Sequence, residues 1–323
     1  MRSPKMPGAK PPATDEFSEI ARLFRPLTGG APGAFDLLDD AAIVPQRPGF
    51  DLVVTKDAMV EGVHFPVGER PGLIARKLLR VNLSDLAAKA AEPFGCFLAV
   101  AWPPGFGAAE REAFARGLGE DLTAFGVALL GGDTVSTPGP FTASLTALGW
   151  APEGRMVRRA GARAGDVIAV SGTIGDGVLG LAAVNGEIAD PSGWLTGRLR
   201  VPTPRLDLCE ALREHAHAAA DVSDGLIADA GHVAEASGCG VSLDLDEMPL
   251  SPAAAAWVDG QPNRAAALLR LATGGDDYEV VAAFPGSPPE GFTPIGEVVF
   301  GSGVEARVDG HPVNVAERGW RHL

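Results

Sequence analysis

Aspartates recur among small residues at six places where the pattern should end a strand or a helix. They are Asp39-Asp40, Asp57 behind Thr55-Lys56, Asp85 behind Ser84, Asp133 behind Gly131-Gly132, Asp221 and Asp224 around Val222-Ser223, and Asp276-Asp277 behind Gly274-Gly275. Carboxylates drawn from distant parts of a chain repel one another unless a cation sits between them. Hard divalent ions such as Mg²⁺ prefer oxygen ligands, and a polyphosphate is the usual reason to gather several. The chain has no Gly-x-x-x-x-Gly-Lys-Ser/Thr loop, so a nucleotide here would be held through metals rather than by a loop lysine.

Singly, several of these acids have plainer uses. Asp39-Asp40 suits a solvated turn, Asp57 a strand end, and Asp85, four residues before Lys89, an ion pair on an exposed helix face. Gly131-Gly132-Asp133-Thr134 says more, because the glycines let backbone N–H groups approach an oxyanion while the aspartate holds its metal. In Asp221 to Gly225, Ser223 or Asp224 would cap the next helix, and the second acid and the glycine exceed that need. Gly274-Gly275 ahead of Asp276-Asp277 also fits a turn. The run 171–177 resembles a dinucleotide fingerprint, but its spacing departs and no strand ending in an acid follows, so it reads as a tight turn near phosphate. His64 reads as a packed histidine or a ligand, and Arg155, Arg158 and Arg159 as a solvated face or a phosphate clamp.

These residues need a scaffold. A length of 323 residues suggests two domains, and 46% hydrophobic with 21% charged residues suits a soluble globular protein. With 27 basic against 41 acidic residues the net charge is -14, which argues against nucleic acid or an anionic membrane as partner. A phosphorylated substrate would then need bound cations to reverse the local sign. Cys96, Cys209 and Cys239 are too few and scattered for a disulfide framework or zinc site, which fits a reducing cytoplasm. No apolar run is long enough to span a bilayer, and residues 1–13 lack the apolar core of a signal peptide and read as a disordered tail.

Periodicity predicts a helix over 14–25, a loop over 27–35, and a strand from Leu52 that stops at Lys56-Asp57. A helix over 71–91, a strand over 97–102, a helix over 108–125 and strands over 127–130 and 141–150 follow. Ala151 to Gly154 marks a boundary, giving an N-terminal domain over 14–151 and a C-terminal α/β domain over 152–323. The second half reads as strands over 166–170, 241–245, 278–284, 294–299 and 304–308, with helices over 176–184, 204–217 and 226–237. Strands grouped apart from helices predict an α+β class, with mixed or antiparallel sheets covered by helices on one face.

The order of the motifs carries a resemblance. Glu16 to Ile20, Asp39-Asp40, Thr55-Lys56-Asp57, Gly62-Val63-His64-Phe65, Asn82-Leu83-Ser84-Asp85, Gly131 to Thr134, Asp221 to Leu226 and Gly274 to Glu279 resemble the thiamine-monophosphate kinase family. That family lies within the aminoimidazole-ribonucleotide-synthetase-like superfamily of ATP-dependent enzymes. The resemblance implies the two-domain fold of that superfamily and a homodimer joined through the N-terminal domains, with ATP near the junction. It implies Mg²⁺ ligands at Asp40, Asp57, Asp85, Asp133, Asp221 and Asp224, with Thr55 and Lys56 as further metal ligands. Nucleotide contacts fall on Gly132, Asp133, Ser223 and Arg159, with neighbouring Arg158 leaving that register open by one. Substrate contacts fall on His64, Asp276 and Trp320, and catalysis on Asp57, Asp133 and Asp224. Three positions depart from the family pattern: Leu38 for a glycine, Lys56 for a small hydroxyl residue, and Asp276 for a longer glutamate.

The implied reaction moves the γ-phosphoryl of ATP to the phosphate of thiamine monophosphate, giving thiamine diphosphate. The acceptor, with a second pKa of about 6, is already anionic, so no general base is required. The difficulty is that two anions must meet, and unit charges about 4 Å apart repel by about 4 kcal/mol at an effective dielectric of about 20. Several Mg²⁺ ions would relieve that repulsion, and Trp320 would stack on the thiazolium. Two other members of the superfamily compete. A selenophosphate synthetase normally needs a reactive cysteine before Cys96, and a hydrogenase-maturation dehydratase a distinct final segment, and the sequence has neither. A non-catalytic acidic protein that binds divalent ions is the alternative from another class.

Overall fold

The computed structural model describes residues 16–315 and Gly319. The tail over 1–13 and Trp320 lie outside the described residues. The chain opens with a short helix, α1 (Glu16–Glu19), which changes pitch into a π turn over Ile20–Phe24 and 3₁₀ turns over Arg25–Thr28 and Pro32–Leu37. Leu23 and Phe24 are buried while Phe17 is exposed, so the even α-helix expected over 14–25 is not what forms.

Four strands make the first sheet: β1 (Phe50–Val60), β2 (Glu92–Trp102), β3 (Ala128–Ser136) and β4 (Thr142–Pro152), in the order β1-β4-β2-β3. β4 runs antiparallel to both neighbours, and β2 and β3 are parallel. Helices α2 (Pro71–Ala88) and α3 (Ala108–Phe125) pack on one face, where Leu78, Leu79, Leu83 and Leu86 of α2 are fully buried. Each such leucine contributes about 1.5–3 kcal/mol through burial. Pro71 suits the first turn of α2, and Gly126 ends α3 in the left-handed conformation at φ 66.

The second half builds a seven-stranded mixed sheet from β5 (Val167–Ser171), β6 (Ala218–Val222), β7 (Gly240–Asp244), β8 (Glu279–Phe284), β9 (Phe292–Val299), β10 (Gly303–Val308) and β11 (His311–Val313). Its helices are α4 (Asp176–Val184), α5 (Trp194–Arg200), α6 (Cys209–His215), α7 (Leu226–Ser237), α8 (Pro252–Asp259) and α9 (Arg264–Thr273). This sheet is covered on both faces rather than one. One side packs on a core that includes α7 and α9, the other on α6 and on Ala87, Ala88 and Ala90 at the end of α2. Helix α2 thus touches both sheets and holds them together.

The α+β class with mixed sheets is what forms, with differences in extent. β1 runs past Lys56-Asp57 to Val60, and β3 past Leu130 to Ser136, so both polar motifs lie inside strands rather than at their ends. The region read as one helix over 204–217 is a 3₁₀ turn over Leu206–Leu208 followed by α6. β6, β11, α5, α8 and α9 are additional. Ala218-Ala219-Ala220 has little intrinsic strand preference, and burial on both faces, not propensity, makes β6 a strand.

Candidate active site

The alternation of β1 turns Thr55 and Asp57 to the same face as the buried Val53 and Met59, toward α2. The N–H of Asp57 donates to Asn82 Oδ1 at 3.2 Å, and Asn82 Nδ2 donates to the Leu78 carbonyl at 2.8 Å. The Thr55 hydroxyl donates to Asp85. From the second sheet, Asp221 at the end of β6 joins them. Burial and then the Asp221 charge push the Asp57 carboxyl up to about 6. Burial, Asp221 and Asp57 push Asp85 up to about 7, against the pull of Thr55 and Lys89. Burial also raises Asp221, opposed by Lys89, Ser223 and Arg159. Lys89 donates to the Ala219 carbonyl at 2.8 Å, and burial lowers its ammonium to about 8. Asp85 is therefore not the exposed partner of a surface ion pair. Three carboxylates from β1, α2 and β6 face one another with Lys89 and Arg159 close by, an all-oxygen donor set that fits a hard divalent cation such as Mg²⁺.

Beyond β6 the chain turns sharply into α7. The N–H groups of Ser223 and Asp224 both donate to Asp229 Oδ2, at 3.0 and 3.1 Å, so a carboxylate from the first turn of α7 holds the loop. Gly225 has φ 122, which favours glycine, and the turns behind it interlock. A Cβ on Gly275 would lie 2.5 Å from the Ser223 carbonyl oxygen, and one on Gly177 would lie 2.5 Å from the Gly275 carbonyl oxygen. The run 171–177 does form a tight turn, but the N–H groups of Gly175 and Gly177 donate to Asp277, at 2.8 and 2.9 Å. A protein carboxylate therefore takes the amides that would have faced a phosphate.

Asp39, Asp40 and Gly131 to Thr134 lie elsewhere, lining a cavity of about 570 Å³ with Phe17, Phe24 and Phe97. Asp133 stands in register with Ala99, Ser144 and Ala58, whereas Asp57 stands in register with Leu145, Leu98 and Gly132. Asp133 and Asp57 thus occupy opposite faces and opposite edge strands of the first sheet. Gly132 is required by close strand packing, since a Cβ there would lie 2.0 Å from the Leu98 carbonyl oxygen. Lys56 points away from Asp57, its Nζ 2.9 Å from Ser144 Oγ.

His64 and Asp276 line a second cavity, of about 380 Å³. Buried Lys77 joins them: its Nζ lies 2.8 Å from Asp276 Oδ1 and donates to the His64 carbonyl at 3.1 Å. His64 Nδ1 accepts from the Val60 N–H at 3.0 Å. An ion pair from Arg200 to Glu69, at 2.6 Å, crosses from α5 to the first half at this cavity. Burial, then the charges of Asp276, Asp57 and Asp221, push the Tyr278 hydroxyl up, so this cavity borders the carboxylate cluster. Arg159 rather than Arg158 is the arginine whose charge reaches Asp221 and Asp229. Gly319 packs at the Ser223-Asp224 loop, where a Cβ would lie 2.5 Å from the Asp224 carbonyl oxygen. The sequence motifs do not include Lys77 or Asp229, and they include Asn82 without a role of its own. The polar residues Lys77, Asn82 and Ser84, breaking the apolar pattern of α2, were the available signal.

Both halves match known domain models: the AIR synthase related protein N-terminal domain over residues 38–151 and the corresponding C-terminal domain over 163–283. The two halves are thus those of an AIR synthase related protein. A thiamine-monophosphate kinase of Caulobacter vibrioides is 56% identical, over 98% of this chain and 92% of its own. The crystal structure of a thiamine-monophosphate kinase from Stenotrophomonas maltophilia is 38% identical with TM-score 0.76, covering 86% of this chain and 91% of that one. AaThiL complexed with AMPPCP and TMP is 29% identical with TM-score 0.78, covering 91% and 98%. This chain belongs to the thiamine-monophosphate kinase family.

Proposed function

We propose that this chain transfers the γ-phosphoryl group of ATP to thiamine monophosphate, forming thiamine diphosphate. The observation that carries the mechanism is the convergence of Asp57, Asp85 and Asp221 from three elements into one largely buried, mutually repelling group, with Asp221 buried and the other two half-buried. Asp57, Asp85 and Asp221 would hold Mg²⁺, with Asp224 beside them and Asp40 and Asp133 on the nucleotide side. Bound there, the ions would neutralise the phosphoryl oxygens and the acceptor so that the two anions can meet. Asn82 fixes the backbone at Asp57, and Thr55 fixes one oxygen of Asp85. Arg159 and Lys89 add positive charge at the same place, and Arg159 is the side chain we assign to the nucleotide phosphates.

The smaller cavity, with His64 and Asp276 joined by Lys77, suits the thiamine moiety, because apolar walls surround a carboxylate able to accept from an aminopyrimidine. The larger cavity, with Gly132 and Asp133 beside Phe17, Phe24 and Phe97, suits the nucleotide. We assign the working state to a homodimer joined through the outer face of the first sheet. Val54 and Val135 are 55% and 51% exposed there, and Trp150 stacks on Phe94 on the same face. Within one protomer three strand spacings of about 4.8 Å each separate the edge strands that carry Asp133 and Asp57. A second copy on this face brings the Asp133 edge of one protomer toward the Asp57 edge of its partner. No helix among the described residues is long and apolar enough to cross a membrane, and the three cysteines are free and buried, which supports the cytoplasm as the site of action.

A coupled ADP-release assay tests the reading. ADP should form with thiamine monophosphate and not with free thiamine or an aminoimidazole ribonucleotide precursor. Absence of ADP with thiamine monophosphate, in the presence of Mg²⁺ and ATP, would overturn it.

A further inference from the structure

We propose that Asp229 and His232, together with Asp224, form a further metal site adjoining the Mg²⁺ cluster, one that takes a first-row transition ion of the Mn²⁺ kind in preference to Mg²⁺. One carboxylate oxygen from each aspartate and one imidazole nitrogen lie within 4.8 Å of one another. Asp229 and His232 are three residues apart on α7, so they share a helix face, and Asp224 stands just before the same helix. A carboxylate followed three residues later by a histidine is the spacing by which helices present an oxygen and a nitrogen to one ion.

A second observation points to the same place. Asp229 is 1% exposed, and while its Oδ2 accepts two backbone N–H groups, its Oδ1 is buried without a hydrogen-bond partner among the described residues. Leaving a buried carboxylate oxygen unpaired is costly, and more so when it is charged, so its persistence calls for an occupant. A proton alone would answer the charge. It would not explain why an imidazole and a second carboxylate stand beside it on a turn that Asp229 itself holds in place.

The donor set selects the class of ion. Mg²⁺ favours oxygen donors and keeps its waters, whereas imidazole suits later first-row ions, and the mixed nitrogen and carboxylate set leaves open positions for water or a phosphate oxygen. His232 is exposed and so reachable from solvent, while Asp229 closes the inner side. The site shares Asp224 with the Mg²⁺ set assigned above and rests on that reading for its place beside the phosphates. Its occupancy does not depend on turnover.

The test adds substoichiometric Mn²⁺ to the full-length protein in a large excess of Mg²⁺, without nucleotide. Pulsed electron paramagnetic resonance should show bound Mn²⁺ with nitrogen modulation from an imidazole. His232→Gln should remove the modulation and weaken Mn²⁺ binding by about tenfold or more. Asp57→Asn, which disables the catalytic carboxylates, should leave both unchanged. The idea fails if excess Mg²⁺ strips the Mn²⁺, if the nitrogen signal survives His232→Gln, or if Asp57→Asn abolishes it, since the ion would then sit in the catalytic cluster. A kinase assay that fails while the signal persists would sink the proposed reaction and spare this site.

Discussion

Buried like charges make a folded protein sensitive to pH in a definite direction. Asp57 and Asp85 have folded-state values of about 6 and about 7, against an ordinary value of 3.8. Between the ordinary value and the raised ones the folded chain binds more protons than the unfolded chain, so stability falls as pH rises through that window. Protein stripped with a chelator should therefore show a urea midpoint that drops from about pH 4 to about pH 7. Saturating Mg²⁺ should flatten the slope, because ions replace the protons, and Mg²⁺ affinity should climb over the same range. Asp57→Asn should shrink the chelated slope. A midpoint that holds steady or rises with pH would mean that these carboxylates are not buried together.

The loops behind the carboxylates are built by close backbone approach. Gly177 packs where a Cβ would lie 2.5 Å from backbone atoms of Gly275 and Asp276, so Gly177→Ala must push apart two turns that frame Asp277 and Ser223. A loss of about 1–3 kcal/mol is expected in chemical denaturation. Gly286→Ala serves as the control, since nothing lies within 4 Å of the added carbon and its backbone carries no positive φ. Equal stability of the two variants would contradict the interlocked turns. Such contacts explain what the sequence could and could not reveal. The long amphipathic helices α2 and α3 were legible because their apolar residues recur at helical spacing over eighteen positions each. The Ala-rich α8, α9 and β6 were not, because alanine marks neither period and only tertiary packing decides its state. The motifs pointed to the aspartates that the two candidate cavities and the carboxylate cluster contain. They did not show that β1 continues through Asp57, because a polar residue on the core-facing side looks like a strand end until the opposing Asn82 and Asp85 are in view. Nor did they show that β3 continues through Asp133, which lies on the exposed outer face.

The aspartates that the family resemblance unites are divided by the fold of one chain. Asp57, Asp85 and Asp221 meet at the junction of the two sheets, while Asp133 sits on the far edge strand with its side chain on the opposite face. If one catalytic centre uses both groups, each centre draws Asp133 from one protomer and Asp57 from its partner, and the apolar outer face of the first sheet is the contact. This arrangement has a consequence that no arrangement within one chain shares. Asp57→Asn and Asp133→Asn should each be inactive alone. Dissociated, mixed in equal amounts and reassembled, they form mixed dimers in about half of cases, by random pairing of two-fold assemblies. Each mixed dimer has one centre with both substitutions and one with neither, so about a quarter of wild-type activity should return. Sedimentation should show dimers before and after mixing, and Val54→Asp, placed on the exposed face, should yield monomers and no recovery. Activity that stays at the level of the separate variants, with mixed dimers verified by mass, would place the whole centre within a single chain.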